Sequence, residues 1–252
     1  MPVMKKSHIF ALYASSLHSF SPINRYDRLV LSDQELAHRI KTVLRMNEGE
    51  KIILFNGLIV LEAHIVSLSK KAITLYIQEI NTQKPYEVKI TLLLPLLKKA
   101  MLEEAVYNAT EMGVTAIQLV STRTSRQEIT TKEYERLYAT MIAAAEQSKN
   151  YGLSIIRKAI SYQDIFEHLR GEKSNQVNLV ADPHGVSCID FIKGRMQEKG
   201  KEITVLIGPE AGLTDEELVC AGQNGFVAVR LTSTVLRAVQ AATLSVGIIR
   251  SL

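Results

Sequence analysis

The chain has 252 residues, 46% hydrophobic and 22% charged, which excludes an unfolded tail and supplies a core for one large domain or two modest ones. No apolar run reaches the roughly 18–20 residues of a membrane span, and residues 1–8 lack the apolar stretch of a signal peptide, so a cytoplasmic protein is expected. Of the +4 net charge, residues 1–82 hold 10 basic and 7 acidic side chains, and residues 83–252 hold 20 and 19.

That imbalance points to an anionic partner met mainly by the first part. There, Ser32-Asp33-Gln34-Glu35 has the pattern of a capping box and predicts a helix to about Met46, stopped near Asn47 and Gly49. At about 100° per residue, Leu36, Ile40, Val43 and Leu44 share one side, with His38, Lys41 and Arg45 opposite. A basic face of this kind suits RNA phosphates, although a solvated face has the same pattern. Strands are predicted at 51–55, 58–68 and 72–80. Asn56-Gly57 reads as a hairpin with both residues at positive φ, and Ser69-Lys70-Lys71 as the next break. Short antiparallel strands with one helix suggest a small barrel over residues 1–82.

Past the polar bridge 81–85 the rhythm changes. Strands are predicted at 88–94, 116–120, 155–159, 177–181, 203–207 and 227–231. Helices fall at about 98–111, 131–148, 162–170, 188–199, 214–224 and 235–250. This alternation predicts an α/β domain over 83–252 with a parallel sheet covered on both faces. Ligands of such sheets bind beyond the strands' carboxyl ends, so the informative loops follow Val120, Ala181, Ile207 and Leu231. Neither a dinucleotide nor a P-loop glycine motif occurs there. Cys188 and Cys220 have no metal-ligand spacing and read as small apolar residues, and no metal site is expected.

In Gly208-Pro209-Glu210-Ala211-Gly212, two glycines and a proline make a stiff turn whose amides a ligand can approach closely. A Cβ at Gly212 would add bulk at that point, and Thr214 with Glu217 forms a capping box opening the next helix. Arg237 is placed in the first turn of the last helix, where a cation is unfavourable unless an anion or an ion-pair partner is near. His184, in the loop after Ala181, is a candidate base, and Arg123 a candidate for RNA phosphate or a cofactor carboxylate.

Leu206–Glu217 (LIGPEAGLTDEE) followed by Leu231–Thr243 (LTSTVLRAVQAAT) resembles the paired signature of the SPOUT methyltransferases. With HRIKTVLR at 38–45, NATEMGV at 108–114 and AAAEQS at 143–148, the chain is similar to the ribosomal RNA small subunit methyltransferase E family. The resemblance implies a C-terminal α/β domain with a deep trefoil knot, preceded by a PUA-like RNA-binding barrel, and a homodimer. It also implies an enzyme that methylates N3 of a uridine in 16S ribosomal RNA of the small subunit, using S-adenosylmethionine. Carried over, the cofactor residues are Leu179, Ala181, Ile207, Gly208, Pro209, Gly212, Leu231, Val235 and Leu236, and Arg237 is catalytic. His38, Lys41, Arg45 and Arg123 would meet RNA, with no membrane and no metal involved. Thr232, Thr234, Ala238, Val239 and Gln240 depart from the family's last loop, as do Asn108 and Asn150 elsewhere. The apolar Val239 where the family has an acid opens a second reading, a non-catalytic RNA-binding or ribosome-assembly protein.

Overall fold

The computed structural model describes residues 9–19, 23–169, 176–195 and 202–252. They form two units, one comprising the chain up to Lys84 with Glu146–Gly152, the other Pro85–Ala145 with Leu153–Leu252.

In the first unit, β1 (Phe10–Tyr13), β2 (Arg28–Leu31), β3 (Lys51–Phe55), β4 (Ile59–Leu68) and β5 (Ile73–Thr82) make one sheet in the order β1-β3-β4-β5-β2. Its pairings are antiparallel except β1 with β3, which is parallel. Both β1 and β2 have four residues, too short for alternation to register in the sequence. Leu31, Leu54, Leu61 and Leu75 are fully buried beneath the helical segment's Ile40.

Two local expectations need correction. Only Gly57 in the hairpin has positive φ, at +92°. Asn56 instead turns the chain with its side chain, Oδ1 accepting from the amides of Leu58 at 3.0 Å and Ile59 at 2.9 Å. The predicted helix is capped by Asp33 rather than Ser32, its carboxylate accepting from Leu36 N at 2.9 Å. After α1 (Gln34–His38) it widens into a π-helical turn, Arg39–Val43, closed by Leu44 N donating to Arg39 O at 2.9 Å. The wider turn rotates Val43 out to 65% exposure while Ile40 stays buried. His38 and Lys41 are exposed on the helical segment, but Arg45 lies past its end in a left-handed conformation, φ +53°.

The second unit alternates as expected: β6 (Lys89–Pro95), α2 (Lys99–Glu111), β7 (Ala116–Ser121), α3 (Thr131–Ser148), β8 (Ile155–Ser161), α4 (Tyr162–Leu169), β9 (Gln176–Ser187), α5 (Cys188–Lys193), β10 (Glu202–Leu206), α6 (Asp215–Gln223), β11 (Phe226–Arg230) and α7 (Ala238–Ser251). The last three residues of α3 count with the first unit. Residue 170 and residues 196–199 of the predicted helices lie outside the described residues. All strand pairs are parallel, in the order β11-β9-β10-β6-β7-β8. Central β6 buries Ile90, Leu92 and Leu94 on one face and Leu93 on the other, in a second cluster, as a strand covered on both faces must.

Candidate functional site

β9 does not stop at Ala181. It pairs with β11 as far as Val180–Ala228, leaves the ladder, and rejoins it at Val186–Val229. Residues 181–185 bulge from the sheet, held by His184 N donating to Asp182 Oδ1 at 2.6 Å. At Gly185 the returning chain passes so close to β11 that a Cβ would stand 2.4 Å from the carbonyl of Ala228.

Beyond β10, Gly212 N donates to Pro209 O at 2.9 Å, closing the glycine turn. Gly208 packs inside it, where a Cβ would lie 3.2 Å from Leu213 N. Gly212 has φ +78° with nothing of the protein within 4 Å of a Cβ, so its requirement for glycine is the left-handed backbone rather than protein crowding. Thr214 and Glu217 form the expected capping box of α6. The buried Glu217 carboxylate also accepts from Arg123 N at 2.9 Å, tying the β7 loop to this helix start. Thr124 Oγ1 donates to Gly212 O at 3.0 Å beside it.

The third wall precedes α7. This helix begins at Ala238, not 235, and Arg237 is its N-cap with extended backbone. Thr234 N donates to Thr232 Oγ1 at 3.2 Å, and Thr232 Oγ1 donates to Thr234 O at 2.8 Å, so these two residues shape the loop. Arg237 is exposed, and among the described residues no carboxylate pairs with it, which removes the ion-pair explanation of its position.

The three segments enclose a cleft of about 560 Å³. Ala181, Ile207, Gly208, Pro209, Gly212, Val235, Leu236 and Arg237 line it, with Asp182, His184 and Glu210 as its other polar side chains. Leu231 borders a smaller adjoining cavity of about 50 Å³ that shares Ala181 and Leu236. Leu179 is completely buried in the core and lines neither. Val239 is also core, 2% exposed, so an apolar side chain there meets the demands of packing. Sequence reasoning missed Asp182, Pro183, Leu213, Leu218, Ala238 and Ala241; the signal for Ala241 was its place one turn beyond Ala238 on the same face of α7.

Arg123 belongs elsewhere. It lines a separate cavity of about 330 Å³ beside α6 and is ion-paired with Glu216. Burial, with smaller contributions from Cys220 and Glu217, pushes the nearby Tyr162 hydroxyl up, so it remains protonated and donates to Glu217 O at 2.5 Å. Cys188, buried at the start of α5, is held as a thiol, burial raising it to about 11. Among the described residues no cluster of three or more His, Cys, Asp or Glu is placed to hold a metal ion, and no helix is long and apolar enough to cross a membrane.

Two family models match the chain, one described as an RNA methyltransferase domain over residues 84–250 and one as an RNA methyltransferase PUA domain over 31–78. The chain is 30% identical to the ribosomal RNA small subunit methyltransferase E of Rickettsia conorii, over 89% of this chain and 90% of that one. It is 26% identical to the protein of that name from a Synechocystis strain, over 100% and 82%. The fold is similar to the crystal structure of the Neisseria gonorrhoeae protein of that name bound to S-adenosylmethionine, with a TM-score of 0.82, 23% identity, and 97% and 98% of the two chains covered.

Proposed function

The chain belongs to the ribosomal RNA small subunit methyltransferase E family of the SPOUT superfamily, and on that premise we propose that it is an S-adenosylmethionine-dependent ribosomal RNA methyltransferase. The observation that carries this reading is the convergence of the glycine turn, apolar walls and Arg237 on one cleft. Its residues fit the cofactor's chemistry. Ile207, Leu213, Leu218, Val235 and Leu236 offer apolar surface for adenine, and the backbone of Gly208–Gly212 offers polar groups for its edge. Asp182 and Glu210 would take the ribose hydroxyls and the ammonium group. Leu231 would border the same site, while Leu179 would support it by packing beneath it.

When bound, the cofactor supplies a methyl group on a positively charged sulfur. The chain's own part is to exclude water, orient the base and stabilise charge. The finer reading is N3 of a uridine in 16S RNA of the small subunit. That atom lies on the pairing edge, so the target must be unpaired or flipped out. Arg237 would face O2 or O4 and stabilise the anion formed as the N3 proton leaves, with His184 on the same cleft to accept that proton.

Residues 1–82 form the PUA-like RNA-binding domain in this reading, with His38, Lys41 and Arg45 toward phosphates, and residues 83–252 the SPOUT domain. Arg123 would have to leave Glu216 to join them. A trefoil knot, a homodimer and a cytoplasmic location complete the proposal. The test combines calorimetry with S-adenosylmethionine and single-turnover methylation of small ribosomal subunits, mapping the methyl group to a base atom. A chain that binds the cofactor yet methylates no subunit RNA would sink the enzyme reading in favour of the assembly protein.

A further inference from the structure

The outer face of the first sheet carries an aromatic stack that methyl transfer does not use. Burial alternates along β2, β4 and β5, with Leu29, Leu31, Ala63, Ile65, Leu75 and Ile77 turned inward. On the opposite face, Arg28 pairs with Tyr76, Tyr76 with His64, and His64 with Lys51, giving one continuous cross-strand row. That row contains no carboxylate. Tyr26 stacks on Tyr76 with ring centroids 6.3 Å apart and planes inclined by 30°, and the Arg25 guanidinium lies 4.9 Å from the Tyr26 ring centre.

These rings are not filling a core, since Tyr26 is 59% and Tyr76 37% exposed. Tyr26 also holds φ at +73°, a region that a bulky side chain enters only at a cost. Its amide donates to Ile77 O at 2.9 Å, and Ile77 N donates to Asp27 O at 3.0 Å, so the sheet fixes the unfavourable backbone. An exposed ring held in place against backbone preference calls for a ligand with a flat apolar face. Arg25 is engaged by Glu79 at 3.8 Å and by Gln78 O at 2.8 Å, so Arg28 and Lys51 are the cations of this row that call for an anionic ligand.

Resting on the RNA reading above, we infer that Tyr26 and Tyr76 are a stacking platform for bases of an unpaired RNA segment, with Arg28 and Lys51 meeting its phosphates. Every base has a π-face, so such a platform tolerates sequence, whereas a duplex hides those faces. Across from the Arg25-paired Glu79, the Glu62 carboxylate repels phosphate and confines the strand to this row.

The full chain is titrated with a short fluorescent oligouridine and with an RNA duplex of equal length, following anisotropy. Tyr76→Thr and Tyr26→Gly should each raise the oligouridine Kd about fivefold or more and leave the duplex Kd unchanged. Tyr26→Phe should bind as wild type does. Tyr26→Gly should also melt no lower than wild type, because glycine accepts the left-handed backbone, and it remains informative if Tyr76→Thr folds poorly. An unchanged oligouridine Kd in folded Tyr26→Gly overturns the platform and leaves the methyltransferase reading standing. Wild type that binds neither RNA also overturns the platform, while the methyltransferase reading stands or falls on subunit methylation.

Discussion

At Gly185 the absence of a side chain lets β9 rejoin β11 after its bulge, since a Cβ would meet the Ala228 carbonyl at 2.4 Å. Backbone cannot yield as a flexible side chain can, so Gly185→Ala must push the strands apart. A loss of about 1–3 kcal/mol is expected in denaturant unfolding, together with weaker S-adenosylmethionine binding as residues 181–184 shift. Wild-type values in both measurements would mean that the bulge is free to move. Arg237 has a different task. Its proposed partner, the uracil anion, appears only along the reaction path, so Arg237→Ala should leave cofactor affinity nearly unchanged. Single-turnover methylation should slow roughly a hundred- to a thousandfold, about 2.7–4 kcal/mol. Equal rates would remove that role and leave His184 as the next side chain to test.

Away from the cleft, the second unit is held by a cap at α3 and by a half-buried cation on α7. At the start of α3, Thr130 Oγ1 accepts from Glu133 N at 3.2 Å, and Glu133 Oε2 accepts from Thr130 N at 3.1 Å. Arg126 donates to the same carboxylate at 3.1 and 3.0 Å. Its bonds, with those from Thr130, hold the Glu133 carboxyl down to about 2. A depressed carboxylate contributes its stability above the ordinary value near 4.5 and loses it as pH falls towards 2. Carbon-detected NMR should therefore place the Glu133 titration near pH 2 in wild type and higher in Arg126→Ala. On α7, Arg250 donates to Gly113 O at 2.9 and 2.7 Å and to Val88 O at 2.6 Å, while the Tyr86 ring lies 3.8 Å from its guanidinium carbon. Burial lowers its pKa, yet these acceptors keep a charged group in place. Arg250→Leu strands two carbonyls and should cost on the order of 2–4 kcal/mol in chemical unfolding. A stability equal to wild type would mean that water replaces the guanidinium without loss.

For the whole molecule, the exposed apolar side chains of the second unit bear on assembly. Val186 and Ile189 flank the start of α5 at 55% and 40% exposure, and Val235 is 80% exposed at the cleft. A partner subunit would cover such surface, so light scattering at micromolar concentration should give a mass near twice 28.1 kDa. Val186→Asp with Ile189→Asp should shift the protein towards monomer and weaken cofactor binding if the partner helps to complete the cleft. A monomeric wild type would end the homodimer proposal.

Features set within a few residues are legible in the amino-acid sequence by itself. The Thr214–Glu217 capping box, the apolar strands and the change of rhythm after residue 82 all come from contacts between near neighbours, and the described residues carry each of them. Only the tertiary structure decided the strand order and the departure of residues 181–185 from β9. The same holds for Arg250 reaching Gly113 across 137 positions, and for the row that sets Tyr76 between Arg28 and His64. Such contacts depend on which strands lie side by side, and local propensity is blind to that. Motif resemblance reached the cleft because its glycine turn and Arg237 loop are short segments, each recognisable alone. It could not show that Leu179 and Val239 turn away into the core, since the direction of a side chain is set by what packs on either side of it.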